Sequence, residues 1–186
     1  MKLFRSLLKL AAIIFLPFIT TLFTSCGGDE KAKTDLRNQF HNDLESYDGW
    51  VGVGGYYNLK SGEGHSGQHC LVTDQSSIYS MSFVKPLSEL GDKKVKRIHV
   101  SVWLKCLAVP ANGSYVVSIE RGNEILKYFS FDLSEQEAVI NQWVEVKGTA
   151  ELPLALPKDA VVKIYFWNKS KASTILVDDF EFVTEY

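Results

Sequence analysis

The sequence predicts an all-β protein, an antiparallel two-sheet β-sandwich of about ten short strands following a signal peptide. Three observations carry this. Apolar residues alternate with polar ones along run after run, most clearly at 97–108, where Ile98, Val100, Val102, Leu104 and Cys106 share one phase and His99, Ser101, Trp103 and Lys105 the other. Gly, Pro and Asn punctuate these runs at similar spacing. No stretch of the mature part sustains a helical period, and the alternation argues against a parallel sheet, whose strands would be apolar on both faces.

The first residues stand outside the sandwich. Lys2, Arg5 and Lys9 precede an apolar run at 10–23 that is interrupted by Pro17 and is short for a membrane span. Small residues follow, Thr24-Ser25-Cys26-Gly27-Gly28, and the pattern reads as an export signal over 1–25. With Phe23 where Leu is usual, the segment resembles the lipobox of bacterial lipoproteins, which implies lipidation of Cys26 as the mature N-terminus. The following Asp29 and Glu30 resemble the export tag of Bacteroidota-type surface lipoproteins. The resemblance places the chain at the bacterial outer membrane or cell surface, held in the membrane by its lipid; the alternative is an ordinary cleaved signal with an incidental cysteine.

Residues 26–38 are polar and charged, without apolar period, and suit a flexible tether. Of 20 Lys and Arg, three lie in 1–25, which leaves 17 against 22 Asp and Glu and a formal charge of −5. No basic stripe remains, which argues against nucleic acid as a partner.

The domain proper is expected over 39–186. A first strand, 39–46, carries Asp43 and Glu45, and Asp48-Gly49 turns into a glycine-rich run at 50–57. Residues 60–67 form a loop by composition. Strands are expected at 68–73, 78–84, 97–108, 115–121, 125–131, 142–152, 161–167 and 174–183. Inward and outward phases are assigned to each from alternation, with Tyr128, Trp143, Tyr165 and Trp167 outward. In the last strand Leu176, Phe180 and Phe182 occur in one phase and Asp178 falls in it too. An acid facing a core must be protonated, hydrogen-bonded, paired or metal-bound. Cys70 and Cys106 could bridge in an oxidising compartment; a disulfide or two buried thiols remain the alternatives.

Taken in order, Asn42-Asp43-Leu44-Glu45, Gly49-Trp50, His65-Ser66-Gly67-Gln68-His69-Cys70-Leu71, Val100 to Lys105, Gln142 to Val146, Lys163 to Asn168 and Val177-Asp178-Asp179-Phe180 resemble carbohydrate-binding modules of the galactose-binding-like jelly-roll superfamily. The resemblance covers nearly all of 40–186. It implies a structural calcium ion held by Glu45, Asp43, carbonyls near 65–67 and Asp178, since calcium takes six to eight oxygens. It also implies glycan recognition by aromatic faces, for which Trp103, Tyr165 and Trp167 are candidates with Tyr56 and Tyr57 of the glycine-rich run. Nucleophile-elbow, phosphate-loop, dinucleotide and metalloprotease motifs are absent, so no enzyme is expected. The leading expectation is a non-catalytic, lipid-anchored envelope module that binds glycans. The other is a structural or adhesive envelope lipoprotein contacting a protein partner through the same sandwich.

Overall fold

The computed structural model of the chain describes residues 36–46, 58–133, 139–170 and 172–186. Among them ten strands form two antiparallel sheets: β1 Leu36–Asn42, β2 Leu59–Ser61, β3 His69–Thr73, β4 Phe83–Pro86, β5 Arg97–Cys106, β6 Gly113–Arg121, β7 Glu124–Asp132, β8 Trp143–Glu151, β9 Val161–Asn168 and β10 Ile175–Glu185. A 3₁₀ turn, Leu87–Glu89, follows β4. One sheet runs β2-β3-β10-β5-β8 with β1 also on β10, and the other runs β4-β9-β6-β7. The two-sheet β-sandwich read from alternation is the observed fold. The expected first strand is displaced to begin at Leu36, and β2 forms within what composition read as the start of a loop.

The core lies between the sheets. Ile98, Val100, Val102 and Leu104 of β5 face Tyr115, Val117 and Ile119 of β6 and Val162, Ile164 and Phe166 of β9, all essentially buried. Phe40 stacks on Phe182 with ring centres 4.4 Å apart, and Phe83 meets Phe182 edge-on at 4.5 Å. Each such side chain contributes roughly 1.5–3 kcal/mol by leaving water.

Strand β10 is the axis of the larger sheet. Its first residues, Ile175 to Val177, pair with β3, and its last, Phe180 to Glu185, pair with β1. β3 and β1 therefore lie end to end along one side of β10, with a seam at Asp178 and Asp179. The other side pairs with β5, where the register runs Asp178↔Trp103 and then Glu181↔Ser101. Three steps along β10 match two along β5, so one residue is extra, and Asp179 takes a positive φ of 46°. The bulge reverses the phase of the strand.

That reversal corrects the expectation for Asp178. Phe180 and Phe182 join the core cluster, as do Ile175 and Val177, whereas Leu176 and Asp178 belong to the opposite, outer face. Asp178 is nevertheless fully buried, because the 62–68 connection between β2 and β3 covers it.

The register also separates the two cysteines, which are free and buried. Cys106 pairs with Ile175, while Cys70 precedes Leu71, the partner of Val177, and so falls level with Asp178. Positions 175 and 178 face opposite sides of the sheet ahead of the bulge, and β10 itself lies between β3 and β5. Two strand spacings, about 9–10 Å, exceed the reach of a disulfide. Of the two alternatives, buried thiols are the one observed, and burial pushes each thiol up to about 11.

Candidate functional site

Two assemblies of side chains stand out, one at the β10 seam and one on the outer face of the smaller sheet. At the seam the 62–68 connection is fastened by carboxylates from both flanks. The Asp178 Oδ2 accepts the His65 N–H at 2.7 Å, and its Oδ1 accepts the Asp179 N–H at 2.7 Å. Burial raises the Asp178 pKa to about 6 against the pull of these bonds, and the neighbouring Asp179 charge adds to the rise.

Glu45, three residues beyond β1, approaches the same connection from the other side. Its Oε1 accepts the Gln68 and His69 N–H groups at 2.6 Å each, and its Oε2 meets His69 Nδ1 at 3.0 Å. Those bonds outweigh its desolvation and hold the carboxyl below its ordinary value. Gly67 makes the approach feasible: at φ +62°, a Cβ there would stand 2.6 Å from the Glu45 carboxylate.

Asp179 completes the cluster. Its Oδ2 meets His65 Nδ1 at 2.5 Å, its Oδ1 accepts Ser66 Oγ at 2.5 Å, and His41 Nε2 lies 3.6 Å away. The His65 ring lies flat on Trp103, centres 3.8 Å apart and 14° between planes, and meets Trp143 edge-on at 5.5 Å.

This arrangement bears directly on calcium. The groups that the connection turns toward Asp178 and Glu45 are N–H donors, the reverse of the oxygens a calcium ion requires. Asp43 does not converge on them; its Oδ1 accepts the Glu45 N–H at 3.1 Å within the turn after β1. Among the described residues no three His, Cys, Asp or Glu side chains are grouped to hold an ion. Asp43, Glu45 and Asp178 thus do not fit a calcium cage as arranged, and backbone N–H groups occupy the Asp178 and Glu45 oxygens that a cation was expected to take.

The second assembly lies on the four-stranded sheet. Along β9, Lys163, Tyr165 and Trp167 alternate outward while Val162, Ile164, Phe166 and Asn168 are buried. Tyr79, paired with Trp167 in an isolated bridge ahead of β4, meets Tyr165 edge-on at 5.8 Å and Trp167 at 6.1 Å and 28°. Tyr128 of β7 adjoins Tyr165, whose pKa rises to about 12, first through burial and then through Tyr128. Tyr79 and Tyr128 are 50% and 44% exposed, so both rings offer free surface.

Polar groups edge this aromatic face. Lys169 Nζ sits 5.4 Å from the Trp167 ring centre and 2.7 Å from Asp132, which also accepts Ser130 Oγ at 3.1 Å. At the other end Lys163 holds Glu120 at 2.5 Å. The assembly combines apolar ring faces with fixed donors and acceptors, a surface suited to a polyhydroxylated ligand with C–H faces.

The candidates are therefore divided. Tyr165 and Trp167 come together on one face, and Tyr79 and Tyr128, which the sequence reading did not select, join them there. Tyr128 had the right phase in its strand, whereas the position of Tyr79 depends on a bridge with no local signal. Trp103 lies on the other sheet beneath His65 and is not part of this face. Tyr56, Tyr57 and Cys26 lie outside the described residues.

No protein-family model matches the chain, and no curated protein matches it. Solved structures do. The chain is similar to the N-terminal CBM22-1–GH10 modules of Clostridium thermocellum endo-1,4-beta-D-xylanase 10B, solved with xylohexaose, at 21% identity and a TM-score of 0.55, over 79% of this chain and 28% of that one. It is similar to the CBM22-2 xylan-binding domain of Paenibacillus barcinonensis Xyn10C at 18% identity and 0.54, over 79% of this chain and 99% of that one. A third, the C-terminal family 22 carbohydrate-binding module of Clostridium thermocellum Xyn10B, aligns at 14% identity and 0.55, over 78% and 92%. The likeness is one of fold: the jelly-roll β-sandwich of carbohydrate-binding modules.

Proposed function

We propose that this protein is a non-catalytic glycan-binding module, anchored to the bacterial cell envelope by a lipid on Cys26, and that its sugar site is the aromatic face of the four-stranded sheet. The observation that carries the reading is the grouping of Tyr79, Tyr128, Tyr165 and Trp167 on one outer face with Lys169, Asp132 and Lys163 at its margins. Exposed aromatic surface is costly unless it has a use, and pyranose rings present C–H faces that stack on it. Fold neighbours that bind xylan or were solved with xylohexaose support a β-linked polysaccharide as the first ligand to try.

Affinity electrophoresis through gels containing xylan, mixed-linkage glucan or mannan tests the reading. Retardation by at least one polymer is expected, reduced at least tenfold in apparent affinity by Trp167→Ala. Migration unaffected by every polymer tested would remove the sugar site. Lipid attachment is read separately, by mass spectrometry of the protein recovered from membranes, and is expected to disappear in Cys26→Ala.

A further inference from the structure

The two margins of the aromatic face each pair a lysine with a carboxylate, yet they are not equivalent. Strand pairing sets Trp167, Ser114 and Asp132 in one cross-strand row and Lys163, Ser118 and Tyr128 in another, with the row of Tyr165 and Val116 between them. At the Lys163 margin the carboxylate is fully engaged. Glu120 Oε1 accepts Ser118 Oγ at 2.7 Å, Oε2 accepts Lys163 Nζ at 2.5 Å, and the side chain is only 18% exposed. At the Trp167 margin the donors converge on one oxygen instead. Asp132 Oδ1 accepts Lys169 Nζ at 2.7 Å, Ser130 Oγ at 3.1 Å and the Oγ of the buried Ser114. Oδ2 has no partner among the described residues, and the side chain is 33% exposed.

Lys169 is set in place from three directions. Its backbone N–H and that of Ser170 donate to the Asn112 carbonyl at 2.8 and 3.0 Å, its ammonium group lies 5.4 Å from the Trp167 ring centre, and Asp132 takes one of its donors. An ammonium group has three donors, so two remain, and they meet no acceptor among the described residues. The bonds from Lys169 and then Ser114 hold the Asp132 carboxyl below its ordinary value, which keeps it an acceptor only. A free carboxylate oxygen and a fixed ammonium group thus stand beside one aromatic ring. Such a pair offers an acceptor and a donor a single hydrogen-bond length apart, and charge-assisted bonds are the stronger kind. Two hydroxyls on neighbouring carbons of a pyranose match it: one donates to the carboxylate, and the oxygen of the other accepts from the ammonium group. Hydroxyls on carbons that are not neighbours stand too far apart to engage both.

We propose that Asp132 and Lys169 read two adjacent free hydroxyls of the sugar ring that stacks on Trp167, so that this face selects polysaccharides whose inner rings keep such a pair. The inference rests on the glycan-binding reading above and adds to it the hydroxyl pattern of the ligand. In a β-1,4-linked chain of glucose or xylose each inner ring keeps two neighbouring hydroxyls free. In a β-1,3-linked chain the linkage takes the position between the remaining hydroxyls, and no inner ring has a free adjacent pair. The face therefore favours the first linkage over the second, and the discrimination resides in Asp132 and Lys169, whereas the aromatic rings stack on either chain.

The test is titration calorimetry of the full chain with β-1,4-linked and β-1,3-linked hexaoses of glucose and of xylose, each pair built from one monosaccharide and differing only in linkage. Wild type is expected to bind the β-1,4-linked member of a pair about tenfold more tightly. Lys169→Met and Asp132→Asn are each expected to weaken the β-1,4-linked member alone and bring the pair to within about twofold. Lys169→Met removes only an ammonium group at the surface and keeps the test decisive should Asp132→Asn lose stability. Equal weakening of both members would mark a merely structural contribution and overturns the proposal, as does equal affinity in wild type or a preference that survives in Lys169→Met. Failure of wild type to bind any of the four hexaoses overturns it too. In that case retardation in polysaccharide gels shows whether the sugar site itself stands, and retardation without hexaose binding removes the hydroxyl reading alone.

Discussion

The Asp178 carboxylate accepts the backbone N–H of His65 at 2.7 Å across 113 positions of sequence, and through that bond the last strand fastens the connection between β2 and β3. The carboxyl is fully buried, and burial raises its pKa from 3.8 to about 6. The folded state thus holds a proton that the unfolded state has already released between these values. Stability from this group is present below about pH 4 and falls as pH rises toward about 6. Urea denaturation at pH 4.5 and pH 7 is expected to show wild type losing stability relative to Asp178→Asn as pH rises. A constant or growing advantage for wild type would contradict the burial argument.

Gly67 and Glu45 are expected to be coupled. Gly67→Ala faces both a positive φ and a Cβ 2.6 Å from the Glu45 carboxylate, and should cost about 1–3 kcal/mol. Glu45→Ala strips the acceptor from the Gln68 and His69 N–H groups and also destabilises, but it removes the obstacle. In a double-mutant cycle read by denaturant melts, the pair together should cost less than the sum of the two. Additive effects would mean that strain at φ alone governs Gly67.

How far these relationships can be read from sequence depends on their range. Strand alternation is local and strong: β5 and β9 keep the phases that their apolar residues announce, because each residue alternates between core and solvent. The bulge in β10 is invisible to the same reading, since Leu176, Asp178, Phe180 and Phe182 continue one period while the backbone reverses phase between 178 and 181. The only local signal is the Asp178-Asp179 pair, Asp being among the few residues tolerant of the left-handed region. Alternation in β5 turns Trp103 away from the core, yet its cover, His65, comes from a connection whose path no periodicity specifies. The aromatic face was half legible, through Tyr165 and Trp167 on one strand.

The same division of roles predicts how the aromatics will respond to mutation. Tyr79→Ala and Tyr128→Ala should weaken polysaccharide retardation by roughly tenfold each, about 1.4 kcal/mol, with little change in melting, because their rings are half exposed. Trp103→Ala should do the reverse, lowering stability by removing the surface on which His65 rests while leaving retardation unchanged. Loss of binding in the Trp103 variant at a temperature where it remains folded would move the sugar site to the other sheet.

Calcium offers a direct check on the N–H geometry of the seam. An ion held at a hundred times its dissociation constant would add about 2.7 kcal/mol to stability, visible as a shift of several degrees in melting. With Asp178 and Glu45 already accepting N–H bonds, excess chelator is expected to leave the melting temperature unchanged. A chelator-sensitive transition abolished by Asp178→Ala would show that the 62–68 connection turns its carbonyls inward to admit an ion.

Tyr115 gives the last prediction, in the core itself. Its side chain is fully buried among Phe180 and the inward residues of both sheets, and among the described residues its hydroxyl finds no hydrogen-bond partner. Burial raises the hydroxyl's pKa far above the ordinary phenol value, so the group stays neutral and its cost is that of an unmet donor and acceptor. Such a group typically costs about 1–3 kcal/mol, while the ring supplies the packing. Tyr115→Phe removes the hydroxyl and keeps the ring, at the risk of a void smaller than a methyl group. The variant is therefore expected to be as stable as wild type or more so by about 1 kcal/mol, measured by urea denaturation at constant m-value. A loss of 1 kcal/mol or more would mean that the hydroxyl is satisfied in solution, by a buried water bridging to the backbone.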